Sequence, residues 1–341
     1  MLRGKRALPH LFLMLVVIGG ATLTISGRAS AQELRLAHFM SPKHPMDEHL
    51  MRPWAAEVAK LSKGSLKIRI YPGGELGKGP QEQFKRAVDG IADITFGLQG
   101  YTSKLFPRTT LIELPAVASD AMDATNKIWN IFNDHLAKEY ARVKVLALWT
   151  VTSPILMTKD KPIRAIDDIK GLKIRVPSKD QADLIAALGA TPVSMPATEM
   201  YRSLGTGVVD ALMVPPSVIS SFKIIEVAKN YTTGLAFGRS PFFLVMNRRS
   251  YDGLSSEHKA LIDKTTGREL SLVGAKAYER EDAEDMERVR SSGKHEVIEL
   301  PAAEVKKGNG LLVKARDKIV AQMEIEGIEA KAILAAMGAT N

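Results

Sequence analysis

The chain has 341 residues, a formal net charge of +9 at pH 7 and no cysteine. The lack of cysteine excludes disulfides, thiolate metal sites and a lipoprotein anchor. The positive charge is spread along the sequence without a basic block or an aromatic-rich stripe, which argues against a nucleic-acid-binding protein. Such a mild excess at most helps to attract small anions.

Residues 1–31 have the pattern of a secretory signal peptide. Three basic residues before position 7 precede an apolar run over 11–18, and small residues at 29–31 form a cleavage site. The apolar run is shorter than the roughly 20 residues that a transmembrane helix needs. We therefore expect export to the periplasm. The mature chain over 32–341 should not insert into the membrane and is long enough for two domains.

Strands and amphipathic helices alternate along the mature chain. In its first part, apolar periodicity predicts strands over 33–39, 65–72, 91–97 and 143–149 and helices over 44–64, 80–90 and 120–139. In its second part, the same patterns predict strands over 155–159, 172–176, 208–214 and 241–247 and helices over 178–189 and 197–207. Ser178 can cap the helix that follows it, and Gly189 can end that helix. This rhythm predicts an α/β fold with mainly parallel sheets covered on both faces.

The carboxyl-terminal part is mostly helical. Residues 255–290 form a long, charged helical pattern without proline, which fits either a solvated surface helix or a brace across two domains. A last helical stretch runs over 301–336. We expect it to loosen near 308–310 and again near Gly327, because glycine disfavours a helix interior.

The segment GLKIRVP, residues 171–177, raises the question of what Arg175 faces. Three aliphatic residues alternate with two basic ones, which predicts a strand with one buried face. Residue type alone favours an Arg175 in solvent, since arginine is rarely buried without a partner. Pro177 ends the strand, however, and leaves Arg175 at the carboxyl end, where open α/β sheets bind ligands.

No catalytic or metal-binding arrangement stands out in the sequence. The stretch PGGELGKGP at 72–80 lacks the glycine spacing of a phosphate-binding loop and the Ser or Thr that would hold magnesium. No nucleophile elbow occurs, and His38, His44 and His49 lack the spacing of a helical metal site. We therefore expect no catalytic residues, no metal and no cofactor, and a protein that is not an enzyme.

Four stretches resemble the solute-binding proteins of TRAP (tripartite ATP-independent periplasmic) transporters. The first two are SLKIRIYPGGELGKGPQEQFKRAVDGIADITFG (65–97) and FPRTTLIELPAV (106–117). The later two are KPIRAIDDIKGLKIRVPSKDQADLIAALGATPVSMPATEMYRSLGTGVVDA (161–211) and PFFLVMNRRSYDGLSSEHKALID (241–263). They occur in family order and span nearly all of the mature chain, and the arginine within GLKIRVP is their most specific element.

The resemblance implies a two-lobed periplasmic binding protein fold with mixed, mainly parallel sheets, crossing strands and a long interlobe helix. We expect lobe I over 32–152 and 241–282, and lobe II over 153–240 and 283–341, with the ligand in the cleft between them. The resemblance also implies that Arg175 forms a salt bridge with the ligand carboxylate. A guanidinium suits this role because its planar donors match a carboxylate at two points.

The sequence departs from the sialic-acid-binding members of that family in ways that bear on the ligand. No second arginine occurs at 152–157, and Ala197 stands where those members have an aromatic residue. Leu212, Met213 and Val214 replace polar side chains of those members. Fewer polar partners can satisfy fewer ligand hydroxyls or carboxylates. The hypothesis is a monocarboxylate with an apolar or aromatic body, with a 2-oxo or 2-hydroxy acid as one form.

Four further residues are candidates for the ligand-binding site. Trp149 and Tyr101 are candidate walls for the body of the ligand, and Gln99 and Thr152 are candidate hydrogen-bond partners. Core packing is the alternative for Trp149 and for the strand residues 212–214, because such residues are usually buried in any case.

The function that the resemblance implies is a transport receptor. It would deliver a small organic acid to the subunits of a TRAP-type membrane permease, with a monomer as the family's ordinary form. The sequence leaves two alternatives open: a binding protein that reports to a sensor partner, and a secreted enzyme acting on a small acid. The enzyme is the weaker alternative, since no nucleophile–base pair is visible.

Overall fold

A computed structural model describes residues 31–339, which form an α/β arrangement of two mixed β-sheets. The predicted signal-peptide segment before residue 31 lies outside the described residues. Within this range no helix combines the length and the apolar character that crossing a membrane requires.

Strands of four to eight residues build the two sheets. In chain order they are β1 (Gln32–Ala37), β2 (Leu66–Tyr71), β3 (Ile94–Leu98), β4 (Val143–Thr150), β5 (Ile155–Thr158), β6 (Lys173–Val176), β7 (Thr191–Ser194), β8 (Ala211–Val214), β9 (Asn230–Thr233), β10 (Pro241–Asn247) and β11 (Glu296–Glu299). The first sheet has the order β2-β1-β3-β10-β4, and the second has the order β11-β9-β5-β8-β6-β7. The sequence patterns predicted all of these strands except β7, β9 and β11.

Both sheets combine parallel and antiparallel pairs. In the first sheet β1 is parallel to β2 and β3, whereas β10 is antiparallel to β3 and β4. In the second sheet β6 is parallel to β7 and β8, β11 is parallel to β9, and β5 is antiparallel to β8 and β9. The carboxyl ends of β1 and β3 therefore share one edge of the first sheet, and those of β6 and β8 share one edge of the second.

Helices cover the sheets. In chain order the α-helices are α1 (Arg52–Leu61), α2 (Gln83–Val88), α3 (Ala121–Ile131), α4 (Lys179–Ala187), α5 (Met200–Gly205), α6 (Val218–Ser221), α7 (Arg248–Asp252), α8 (Ser256–Thr265), α9 (Arg268–Ser291), α10 (Ala302–Ile325) and α11 (Ala330–Ala336). The predicted ends of α4 are confirmed. The Ser178 hydroxyl accepts a hydrogen bond from the Gln181 N–H at 3.3 Å, and Gly189 beyond the helix has a φ of 88°.

The long helix α9 is a brace between the sheets and not a solvated surface helix. It packs against α3 and β4 on the side of the first sheet and against β11 of the second. Gly274 lies so close to Trp149 that an added Cβ would be 3.0 Å from the indole ring. Further along, the Asp285 carboxylate accepts a hydrogen bond from the Ser220 N–H at 3.0 Å. The predicted helical stretch is divided at Gly267, whose φ of 88° separates α8 from α9.

The helix α10 corrects one prediction from the sequence. It runs without interruption through 308–310, where we expected it to loosen. An added Cβ on Gly308 would lie 2.4 Å from Leu235, and the Asn309 side chain accepts a backbone hydrogen bond at 2.9 Å. Close packing and this hydrogen bond therefore outweigh the low helix propensity of these residues. The break expected near Gly327 is confirmed, since α10 ends before it with α11 beyond.

Three connections join the two sheets. The chain leaves the first sheet between β4 and β5, returns to it between β9 and β10, and crosses again through α9 before β11. The return of β10 to the first sheet is confirmed. The predicted lobe boundaries stay a proposal, because strand membership defines the sheets without defining the limits of each rigid lobe.

Candidate ligand-binding site

A cavity of about 60 Å³ lies where strand ends of the two sheets face each other. Its wall contains residues that end or follow β1, β3, β6 and β8, together with residues of the connecting segments and of α9. This volume is room for roughly five water molecules, which suits a compact ligand. Within residues 31–339, no group of three or more acidic or histidine side chains could hold a metal ion.

Arg175 is the only Lys, Arg, Asp or Glu side chain in the described wall of the cavity. It stands near the end of β6 and is only 2 % exposed. Its Nε donates a hydrogen bond to the Met195 carbonyl at 2.9 Å, and no carboxylate within residues 31–339 forms a salt bridge with it. Burial lowers the pKa of the Arg175 guanidinium, and the neighbouring Tyr101 and Glu199 act in the opposite direction. The cavity therefore presents one buried positive charge.

Tyr101 lies beside this charge. It belongs to the helical segment Gln99–Leu105, which directly follows β3. Its hydroxyl oxygen accepts a hydrogen bond from the Ala197 N–H at 2.8 Å and is next to the Arg175 guanidinium. Burial raises the pKa of the Tyr101 hydroxyl, so this group keeps its proton. Because the oxygen already accepts a hydrogen bond, the O–H is available to donate to an anion bound at Arg175.

Aromatic rings form a large part of the remaining wall. The rings of Phe242 and Tyr278 have centroids 5.5 Å apart, and those of Phe39 and Tyr101 have centroids 6.2 Å apart. Phe222 adds a fifth ring to the wall. Aromatic faces and edges provide a large apolar contact area for a flat ligand body.

The structure brings together five of the nine residues that the sequence suggested. Arg175, Tyr101, Ala197, Met213 and Val214 all border the cavity. Met213 and Val214 end β8, which pairs with β6. The parallel pairing of these strands explains why their last residues meet at one place. A role for these residues in binding a ligand remains a proposal.

The other four suggested residues lie outside the cavity wall. Gln99 donates a hydrogen bond from Nε2 to the Tyr140 hydroxyl at 2.9 Å, on the buried side of its segment. The Thr152 hydroxyl donates to the Asp282 carboxylate. Leu212 packs in an apolar cluster of the second sheet, two residues before the end of β8.

Trp149 is the fourth of these residues, and its surroundings favour the core-packing alternative. It is 0 % exposed, and its ring stacks against Phe242 with centroids 6.2 Å apart. Gly274 of α9 lies directly against the indole ring, so that an added Cβ would be 3.0 Å from the ring atoms. Trp149 therefore packs against Phe242, which borders the cavity, but Trp149 itself is not part of the cavity wall.

Sequence reasoning missed wall residues from segments far apart in the chain. Phe39 and His44 follow β1, Phe222 follows α6, Phe242 lies in β10 and Tyr278 lies in α9. The carboxyl end of β1 was an available signal, since ligands bind beyond such strand ends. No local pattern distinguishes Tyr278 from the other buried residues of its helix.

A buried acid supports the helix that follows β6. Glu113 is 0 % exposed and accepts a hydrogen bond at 2.5 Å from the hydroxyl of Ser178, the residue that caps α4. Gln181 in the same helix donates a hydrogen bond to the Ser240 hydroxyl at 2.7 Å. Burial, and secondly the charge of Asp180, raise the pKa of Glu113 to about 8. Glu113 is therefore protonated at neutral pH.

We expect Glu113→Gln to weaken the pH dependence of stability. A carboxyl group whose pKa is raised from 4.5 to about 8 on folding stabilises the protein fully below pH 4.5. That contribution is lost as the pH rises to about 8, with a slope of at most about 1.4 kcal/mol per pH unit. Glutamine mimics the protonated form and does not titrate. Urea unfolding of both proteins at pH 5 and pH 8 measures the difference, and equal pH dependence would contradict a protonated Glu113.

Residues 36–322 match the sequence family described as bacterial extracellular solute-binding protein, family 7. The match covers most of the chain, so the chain belongs to this family and is a solute-binding protein of the TRAP type, as its sequence predicted.

Solved structures and a characterised relative agree with this assignment. A TRAP solute-binding protein from Rhodoferax ferrireducens with copurified benzoate is 28% identical, with a TM-score of 0.86 over 89% of this chain and 96% of that one. Another from Bordetella bronchiseptica, with bound mandelate, is 27% identical, with a TM-score of 0.81 over 89% and 97%. The C4-dicarboxylate-binding periplasmic protein DctP of Rhodobacter capsulatus is 25% identical over 90% of this chain and 92% of its own. The predicted two-lobed fold is thereby confirmed.

Proposed function

We propose that this protein captures a small monocarboxylate with an aromatic or apolar body in the cavity beside Arg175. The observation that carries the proposal is the buried guanidinium of Arg175, which has no salt-bridge partner within residues 31–339. Taking a charged group out of water costs several kcal/mol unless an opposite charge compensates it. A ligand carboxylate would supply that charge and accept hydrogen bonds from the guanidinium and from Tyr101.

The polarity of the wall supports a ligand with one carboxylate. A second carboxylate in the same cavity would need a second cation, because a buried anion without a partner is strongly disfavoured. Beyond Arg175 the described wall offers aromatic rings, aliphatic side chains and a few neutral polar groups. These contacts suit a ring or a short aliphatic body rather than the many hydroxyls of a sugar acid.

The relatives support an aromatic acid over a dicarboxylate. The benzoate-bound and mandelate-bound proteins both carry an aromatic monocarboxylate, and mandelate is a 2-hydroxy acid. The C4-dicarboxylate-binding relative shows that the family also accommodates a second carboxylate. The presence of only one charged residue, Arg175, in the described part of the cavity wall supports the aromatic monocarboxylate class.

The proposal includes the path of the ligand after capture. The predicted signal peptide places the protein in the periplasm, where lobe I and lobe II close on the acid. Contacts from both lobes stabilise the closed state, as in hinge closure around other ligands. The loaded monomer then delivers the acid to the subunits of a TRAP-type membrane permease.

A panel of acids tests the ligand class. We expect benzoate and mandelate, at about 100 times their dissociation constants, to raise the midpoint of thermal unfolding by roughly 5 °C or more. Succinate and glucuronate at the same concentrations should leave it unchanged, because Arg175 can neutralise only one carboxylate of succinate and the mostly apolar wall cannot satisfy the hydroxyls of glucuronate. A clear shift with succinate or glucuronate, and none with the aromatic acids, would overturn the proposed ligand class. Mass spectrometry of any acid that copurifies with the protein identifies the ligand class independently of the melting experiment.

A further inference from the structure

His44 borders the same cavity on the side of the first sheet, a few residues beyond the end of β1. It is 3 % exposed. Its ring meets Phe222 and Tyr278 edge-on, with centroids 5.8 Å and 6.1 Å away. These two rings are also part of the cavity wall. His44 is therefore a polar group within an aromatic region, on a different element from Arg175.

A backbone hydrogen bond determines which nitrogen of His44 carries the proton. The Met46 N–H donates to His44 Nδ1 at 3.2 Å, so Nδ1 acts as an acceptor and the proton of the neutral ring lies on Nε2. Burial, and secondly the nearby His38, lower the pKa of His44 to about 3, which keeps the ring neutral in the periplasm. No residue of the described range accepts a hydrogen bond from Nε2. An acceptor oxygen on a bound ligand would therefore give this N–H a hydrogen-bond partner.

We propose that His44 Nε2–H donates a hydrogen bond to a neutral oxygen on the body of the ligand and thereby sets specificity. The inference rests on the proposed function, in which Arg175 holds the carboxylate of an aromatic acid. It adds that the preferred acids carry a hydroxyl, ether or carbonyl oxygen on the ring or its side chain. A neutral imidazole cannot compensate a second carboxylate, so the group at this end should be uncharged.

Near-isosteric pairs of benzoates provide the test. Hydroxybenzoate and methylbenzoate with the substituent at the same ring position differ mainly in hydrogen bonding. Calorimetry on the unaltered protein should show, for at least one position, the hydroxy acid binding about tenfold more tightly than the methyl acid. Isophthalate, which places a second carboxylate on the ring, should bind more weakly than that hydroxy acid.

Two substitutions separate the donor from the structural hydrogen bond of His44. In His44→Asn the side-chain oxygen can still accept from the Met46 N–H, but nothing replaces Nε2. In His44→Gln the amide nitrogen falls near the position of Nε2, but the acceptor for Met46 is lost. We expect the ratio of the affinity for the hydroxy acid to that for the methyl acid to drop to within about twofold of 1 in the asparagine variant. In the glutamine variant this ratio should keep its original value.

The outcomes distinguish this inference from the proposed function. If methyl and hydroxy acids bind equally at every ring position, or if His44→Asn keeps the full preference, the role of His44 is wrong while the carboxylate site stands. If none of these monocarboxylates binds the unaltered protein, the proposed function fails and this inference fails with it. Circular dichroism of each variant confirms that the fold is retained.

Discussion

The variant Arg175→Ala is expected to bind benzoate at least about 100-fold more weakly than the unaltered protein. Charge-assisted hydrogen bonds contribute roughly 1.5–3 kcal/mol each, and a guanidinium can direct two of them at one carboxylate. The fold should survive, because Arg175 has no salt bridge within residues 31–339 whose loss would leave a buried anion. Isothermal titration calorimetry measures the affinity, and the melting temperature of the unliganded variant reports on its fold.

Two further variants make this experiment specific. Arg175→Lys keeps the charge and should still weaken binding, since a point charge cannot replace the planar fork of donors. Arg202→Ala removes an exposed arginine of α5 that lies outside the cavity wall, and it should leave the affinity unchanged. Normal affinity in a folded Arg175→Ala protein would count decisively against the carboxylate site.

The variant Trp149→Ala is expected to lower the free energy of unfolding by about 3–5 kcal/mol. Trp149 is 0 % exposed, and its ring packs 5.6 Å from Phe96 and 6.2 Å from Phe242, measured between centroids. Removal of the indole would leave a large cavity between β4 and α9, where Gly274 now approaches the ring closely. Urea unfolding followed by circular dichroism measures the loss.

Trp149→Phe is the matched control for this variant. The indole Nε1 has no hydrogen-bond partner among the described residues, so phenylalanine removes volume without breaking a bond. We expect a loss of about 1–2 kcal/mol in stability and an affinity for benzoate within about threefold of normal. A Trp149→Phe protein of normal stability that no longer binds benzoate would show instead that Trp149 contacts the ligand.

The sequence could predict those parts of the fold that local pattern and local hydrogen bonds determine. The end of β6 at Pro177 and the cap of α4 at Ser178 belong to this class, because both depend on residues a few positions apart. The return of β10 to the first sheet followed from the family resemblance and from an apolar strand pattern over Pro241–Asn247.

The parts that the sequence could not predict depend on contacts between distant segments. The strands β7, β9 and β11 have four residues each and owe their form to pairing with remote partners. The continuity of α10 depends on the close packing of Gly308 against Leu235. Helix propensities describe single residues and do not include such a tertiary contact. Trp149 lies in a strand buried along most of its length, so its sequence pattern could not separate a cavity wall from core packing.

The candidate site shows the same division. Arg175 was accessible to sequence reasoning through its place at the carboxyl end of a strand and through the family resemblance, and Met213 and Val214 through that resemblance. The parallel pairing of β6 and β8 then brings all three to one edge of the sheet. His44 and Tyr278 were not, since only the approach of the first sheet and α9 to the second brings them to the cavity. The neutrality of His44 also depends on burial that the sequence alone does not reveal.

The position of a bound acid in a crystal structure tests the central claim most directly. We predict that the carboxylate of benzoate lies against Arg175, with oxygen-to-nitrogen distances of about 2.7–2.9 Å to the guanidinium. The ring should then lie among the aromatic side chains of the cavity. A benzoate bound elsewhere, or one whose carboxylate points away from Arg175 towards solvent, would contradict the account.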